Sequence, residues 1–262
     1  MKTTAQRSGL KALVGDRKFY AMVLGIAVPM MIQNGITNFV SLLDNIMVGQ
    51  LGTEQMSGVA IVNQLMFVFS LCVFGAMSGV GIFGAQYYGR RDWEGMRNSF
   101  RLKFIVCVTI VVLAVIIFLT AGNSLINYYL QGEGAEGDIA ATFEHGRNYM
   151  MIMLWGLMPQ AFSQIYASMQ REMGDTKIPM IAGVAAVFTN LLLNWLLIFG
   201  KLGFPELGVE GAALATVISR YVEMVIVIVW THLHRDRYEY IKGAYRSLHV
   251  PASLVKQVAI RG

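Results

Sequence analysis

Six apolar runs, each close to the length of a membrane span, constrain this sequence more than any other feature. They lie at roughly 19–43, 57–86, 104–122, 147–169, 178–199 and 211–232. At 1.5 Å per residue, about 20 apolar residues cross the hydrocarbon core of a bilayer as a helix. Composition agrees: 55% of the residues are hydrophobic, only 14% are charged, and mean hydropathy is +0.53. A soluble domain carries about 25% charged residues. The sequence therefore predicts an all-α membrane protein built as a six-helix bundle. The first 18 residues are polar and basic, and the run that follows is too long for a signal-peptide core, so it reads as a retained first span. Cys72 and Cys107 both fall inside apolar runs and predict small packing residues rather than a disulfide framework.

Net charge is +5, but the placement of the charges says more than their sum. Segments 1–18, 87–103, 170–177 and 233–262 hold nearly all the Lys and Arg. Lys2, Arg7, Lys11, Arg17 and Lys18 open the chain. Arg90, Arg91, Arg97, Arg101 and Lys103 join the second and third runs, and Arg235, Arg237, Lys242, Arg246, Lys256 and Arg261 fill the tail. The alternate connections are mostly acidic: Asp44 and Glu54, then Glu133, Glu136 and Asp138, then Glu206 and Glu210, with Lys201 and Arg147 as exceptions. This is the positive-inside pattern of an even number of spans with both ends cytoplasmic, across a plasma (inner) membrane. No basic-aromatic cluster suggests nucleic acid. The expected organisation is a cytoplasmic segment at 1–18, a six-helix lobe at 19–232 and a cytoplasmic linker at 233–262. In that linker Pro251 precedes an amphipathic stretch, Leu254 to Ile260, that reads as a lead-in to another span.

Polar residues inside the runs are candidates for chemistry, because lipid cannot satisfy them. In the first run Asn34, Thr37, Asn38, Ser41 and Asp44 or Asn45 recur three to four residues apart, which predicts one polar helix face. Pro29 and Gly35 precede it and are positioned to bend the helix. A carboxylate deep in the membrane costs roughly 2.5–3.5 kcal/mol on insertion scales, so Asp44 either ends the helix in outer water or exchanges a proton for a cation. Asn190 and Asn194 share a face of the fifth run, as oxygen ligands for a hard cation or as interhelical hydrogen-bonding groups. Thr216 enters the sixth run at a comparable depth. Together Asp44, Asn190, Asn194 and Thr216 offer one carboxylate and three neutral oxygen donors for Na⁺ or a proton. Arg220 and Glu223, three apart in the sixth run, predict a structural ion pair, with gating or substrate contact as the alternative. In the second run Gly75 and Gly79 are four apart, a spacing that lets helices approach closely for static packing or for sliding.

Several strings carry a resemblance. PMMIQNGITNFVSLLDNIMVGQLG runs from Pro29 to Gly52, GAQYYGRRD covers 84–92, REMGDTKIPM covers 171–180, and NLLLNWLLIFGKLGFPELGVEGAALATVISR covers 190–220. Together they resemble the multidrug and toxic compound extrusion family, the MATE transporters, from about residue 19 to the end. The resemblance implies twelve spans in two six-helix lobes, of which this chain matches the amino-terminal lobe, so a partner C-terminal lobe is expected. It implies secondary active export of small organic, often cationic, drugs against Na⁺ or H⁺ by alternating access, with no other cofactor. It also implies that Asp44, Asn190, Asn194 and Thr216 form the coupling site; the polar stripe Asn34, Thr37, Asn38 and Ser41, which should face protein or water, is the candidate border of the substrate cavity. One branch of the family has an aspartate where this chain has Asn194. The alternatives are a lipid-linked oligosaccharide flippase of the wider superfamily and a non-transporting membrane segment that needs a partner lobe. An enzyme is not expected, since no nucleophile elbow, phosphate loop or HExxH pattern is present.

Overall fold

The computed structural model of the protein describes residues 16–132 and 138–261. The first 15 residues, and the loop acids Glu133 and Glu136, lie outside the described residues. Every regular element among the described residues is helical. The order is α1 (Arg17–Gly49), α2 (Thr53–Gly89), α3 (Trp93–Gly132), α4 (Ile139–Met153), a 3₁₀ turn (Leu154–Gly156), α5 (Leu157–Glu172), α6 (Lys177–Ile198), a 3₁₀ turn (Lys201–Gly203), α7 (Gly208–Leu233), two short 3₁₀ turns (Glu239–Ile241 and Ala244–Arg246) and α8 (Ala252–Arg261).

Five of these helices are each long and apolar enough to cross a membrane: α1, α2, α3, α6 and α7. The remaining crossing is composite. α4 and α5, of 15 and 16 residues, are joined in line by the Leu154–Gly156 turn, so the six-helix bundle holds with its fourth member broken. That crossing begins at Ile139, eight residues before the expected 147, because Asp138 caps α4 by accepting from the Ala140 and Ala141 amides at 2.8 and 3.3 Å. Similar local chemistry sets other boundaries. Asp16 caps α1, accepting from Phe19 N at 2.7 Å. Asp92 accepts from Gly95 N at 2.8 Å at the start of α3. α1 runs unbroken through Pro29. The α6–α7 turn passes through positive φ at Gly200, Leu202 and Gly203.

α6 pairs with α7, α1 leans on α6, and α2 is flanked by α3, α4 and α5. The close helix approach is not where the glycine spacing pointed. A Cβ at Gly75 would meet nothing, whereas one at Gly58 would sit 2.7 Å from Thr142 O and 2.8 Å from Gly146 N. Gly58 and Gly146 thus let the backbones of α2 and α4 touch. Gly75 lies on an open face, and spacing alone does not distinguish the two.

The two ends of the bundle differ in how they treat charge. At the end holding the tail, Lys103 is fully buried. It pairs with Glu172 and donates to Ser168 Oγ at 2.9 Å. This corrects its placement among the loop charges: α3 starts ten residues before Lys103 and carries it inward. Asp175 accepts from Tyr238 Oη at 2.6 Å and pairs with Arg237 at 2.9 Å. Arg101 donates to the Gly243 and Ala244 carbonyls at 3.0 and 2.9 Å. Leu254 of α8 packs on Val80, Phe83 and Leu102. The tail is therefore folded back against the helices.

Candidate functional site

At the opposite end, the last turns of α1 bring Asp44 against α6. Asn194 donates from Nδ2 to Asp44 Oδ1 at 2.6 Å and to Asn190 Oδ1 at 3.3 Å. Asn190 lies 3.3 Å from Thr216 Oγ1. With its amide turned so that nitrogen faces the carboxylate, Asn190 donates to both Asp44 oxygens at 2.9 and 3.0 Å, and its oxygen faces the Thr216 hydroxyl. Amide orientation of this kind is set by the hydrogen-bond network. In either orientation, four residues from three helices that are distant in sequence meet at one point. Asn190 and Asn194 share a face of α6 because they are four apart, and both are buried. Asn194 Oδ1 is buried with no partner.

Asp44, Asn194 and Thr216 border a cavity of about 480 Å³ that is also lined by Ser41, Asn63, Tyr149 and Arg220 among others. Of the predicted polar stripe, Ser41, Asp44 and Asn45 reach this cavity, while Asn34, Thr37 and Asn38 are exposed on the outside of the lobe. The reason is helical drift. At 3.6 residues per turn, steps of three and four precess around the axis, so a stripe that faces outward at Asn34 has turned toward α6 by Asp44. Gln33 reaches α6 from the same shoulder of α1, with its Nε2 2.5 Å from where a Cβ on Gly183 would stand.

Arg220 and Glu223 do not pair as expected. The ion pairs among the described residues are Lys103–Glu172, Arg237–Asp175 and Lys242–Asp236. Arg220 instead extends over the break in the fourth crossing, where a Cβ on Gly156 would meet its Nη1 at 2.9 Å and its Cδ at 3.2 Å. Its Nη1 is buried without a partner. The cavity thus holds one guanidinium as well as one carboxylate. Glu223 lies within electrostatic reach of Arg171 and Arg220 and beside Ser163.

Three cavity residues were not anticipated. Tyr149 is buried, and its hydroxyl donates to Asn63 Oδ1 at 3.2 Å; Gln64 lines the cavity beside Asn63. The Asn-Gln pair inside the second apolar run was the available signal. Tyr149 gave none, because a tyrosine at a span border ordinarily anchors an interface. No group of three or more His, Cys, Asp or Glu converges among the described residues. Asp44, Asn190, Asn194 and Thr216 each carry an oxygen of the kind that suits a hard cation, although the amides present their N–H groups to Asp44 here.

The family model described as MatE matches residues 29–196. A probable multidrug resistance protein NorM from Thermotoga maritima is 30% identical over 84% of this chain and 46% of its own length. Another NorM, from Agrobacterium fabrum, is 28% identical over 75% and 41% respectively. Among solved structures, an outward-facing multidrug resistance MATE family transporter of the MOP superfamily superposes with a TM-score of 0.74 at 26% identity, over 98% of this chain and 53% of that one. A MOP superfamily transporter from Pyrococcus furiosus, described as having a binding pocket of reverse polarity, gives 0.75 at 26% identity, over 100% and 54%. The chain spans about half the length of the curated relatives it matches.

Proposed function

The chain belongs to the MatE family, and from that premise we propose that it forms the amino-terminal lobe of a secondary multidrug efflux transporter. The lobe sits in the plasma membrane with its tail end cytoplasmic, and a second lobe closes the substrate path. Small organic compounds, often cationic, leave in exchange for Na⁺ or H⁺ bound at Asp44. The exposed Asn34, Thr37 and Asn38 face that path. The two lobes rock about a central site, as paired-repeat transporters do.

The observation that carries the coupling role is the orphaned Asn194 Oδ1 beside Asp44. A bare carboxylate is an acceptor only, and Asn190 and Asn194 meet it with N–H groups. A carboxylate that has taken Na⁺ or a proton needs oxygen around it instead. Rotating either amide by half a turn supplies that oxygen without moving a helix. Na⁺ would take Asp44, Asn190, Asn194 and Thr216 as ligands. A proton on Asp44 would be donated to one amide oxygen. Ion binding shifts the lobe between conformers only by its differential affinity for them, and the amide pair ties the charge on Asp44 to the spacing of α1 and α6.

The test is Asp44→Asn in vesicles containing the transporter to which this lobe belongs. Loss of efflux driven by an imposed Na⁺ or H⁺ gradient is expected; undiminished efflux removes Asp44 from the mechanism. Running each gradient alone identifies the ion.

Arg220 in the same cavity favours a second reading, a lipid-linked oligosaccharide flippase, because a guanidinium suits a phosphate-bearing substrate. Transbilayer movement of a lipid-linked sugar without export of a cationic dye would select it.

A further inference from the structure

We propose that the tail end of the lobe holds an anionic phospholipid, its phosphate in a basic pocket beside the end of α7 and one acyl chain along the outward face of that helix. The pocket has a volume of about 610 Å³ and is lined by His232, Arg235, Lys242, Tyr245 and Arg246. No carboxylate lines it. Asp236 takes Lys242 at 2.6 Å from outside, while Arg235 and Arg246 pair with no carboxylate among the described residues.

Basic residues at the cytoplasmic end of a span are ordinary topology signals, and as a rule they sit on loose connectors. Here the segment that presents them is built. Tyr238 and Tyr240 are fully buried. Gly243 turns the chain at φ +83°, and Arg101 of α3 holds the Gly243 and Ala244 carbonyls. Tyr245 stacks on His232 with ring centroids 5.9 Å apart and planes 11° apart, and its hydroxyl bonds to that of Tyr166. Lys242, Tyr245 and Arg246 are therefore displayed from a fixed frame, which gives phosphate oxygens preset donors.

A second observation selects a lipid over a free phosphate. Tyr221, Val225, Val229 and Leu233 recur every four residues along α7 and are all exposed, Leu233 to 74%. His232 lies seven residues beyond Val225, two turns along the same face. The pocket thus sits at the end of an apolar lane, and a diacyl phospholipid occupies both. Two cations without internal partners correspond to about a thirtyfold preference for an anionic over a zwitterionic headgroup.

Native mass spectrometry of the chain in neutral detergent tests this, with phosphatidylglycerol and phosphatidylcholine of identical acyl chains as probes. The expected result is about a thirtyfold preference for phosphatidylglycerol, unmoved by millimolar inorganic phosphate. That preference should disappear in Arg235→Gln with Arg246→Gln and persist in Arg90→Gln with Arg91→Gln. Each variant is first checked for wild-type elution and thermal unfolding. Equal retention of the two lipids, or an unaltered preference in the pocket variant, overturns the proposal; displacement by inorganic phosphate reduces the pocket to an anion site and overturns the lipid. A benzophenone amino acid in place of Val229 tests the lane: a lipid adduct supports it, and a protein adduct there shows a protein surface covering the face and overturns it. None of these outcomes depends on transport, so failure here is distinguishable from failure of the efflux reading.

Discussion

At the tail end of the lobe, Lys103 meets Glu172 and Arg237 meets Asp175, so each carboxylate faces a cation. At the other end, the hydrogen-bond donors to Asp44 are neutral amides, and the guanidinium of Arg220 in the same cavity has an unpartnered nitrogen. Both ends bury ionisable groups, yet the arrangements suit different tasks. A charge matched by an opposite charge is fixed in place, because removing either member strands the other. Under the coupling role proposed for Asp44, a carboxylate solvated by amides is ready for exchange, since the amides can turn to serve a cation or a proton. On that reading one bundle holds a rigid end and a responsive end without a change of fold.

The contrast breaks most readily at Lys103. Lys103→Met leaves the Glu172 carboxylate buried without its ion-pair partner and should cost about 3–5 kcal/mol, read as a lower unfolding midpoint in detergent. Adding Glu172→Leu should return most of that loss. If the single and double variants unfold alike, the pair is not what fixes this end.

A smaller effect is expected at the tail. Tyr238→Phe removes the 2.6 Å bond to Asp175 and should cost about 1–2 kcal/mol, seen as faster proteolysis after residue 233. The same contact has a pH signature. Burial, followed by the bond to Asp175, pushes the Tyr238 hydroxyl above its ordinary value; burial does the same to Tyr240 and Tyr245. As pH rises the unfolded chain loses these protons first, so their contribution is complete below about pH 10 and is lost above it. Tyrosine absorbance followed alongside tail proteolysis should show both changing in that alkaline range. Tail release well below it would rule the tyrosines out.

The smallest stability effect belongs to Asp44. Asp44→Asn keeps an acceptor for Asn194 and should change stability by about 1 kcal/mol or less. What it should remove is the response: the unfolding midpoint ceases to depend on Na⁺ or on mild acid. A large loss of stability with the ion response intact would place Asp44 with the fixed pairs and dissolve the contrast.

The bundle was legible in the sequence because lipid imposes a length on each span. α6, expected at 178–199, is found at Lys177–Ile198. Helical spacing placed Asn190 and Asn194 on one face, and the alternating direction of the spans put Asp44 and Thr216 at a comparable depth; that the four meet was implied by the family resemblance alone, because spacing within a helix says nothing about which helices are neighbours. Lys103 was not, because a lone cation at the edge of an apolar run looks the same whether it ends a helix or continues one. Nor was the direction of Arg220, which follows from the space at Gly156 on another helix. The docking of the tail depends on Arg101 reaching Ala244, 143 residues away, and no local pattern encodes such a contact. The outward turn of Asn34, Thr37 and Asn38 could have been computed from the helix repeat, since ten residues are enough for the stripe to leave the face it started on.

The break at Leu154–Gly156 bears on how the lobe is made. Its two halves, of 15 and 16 residues, each rise about 22–24 Å, short of the roughly 30 Å hydrocarbon thickness. Ser163, Ser168 and Gln170 are buried against neighbouring helices, and Gln170 donates to Thr231 near the end of α7 at 2.9 Å. During synthesis this segment emerges before the partner that satisfies it. It therefore has to wait beside the insertion machinery until α7 has been made, and stalling the ribosome just before Gly208 should leave the fourth crossing accessible to water-soluble labels while the first three are already shielded.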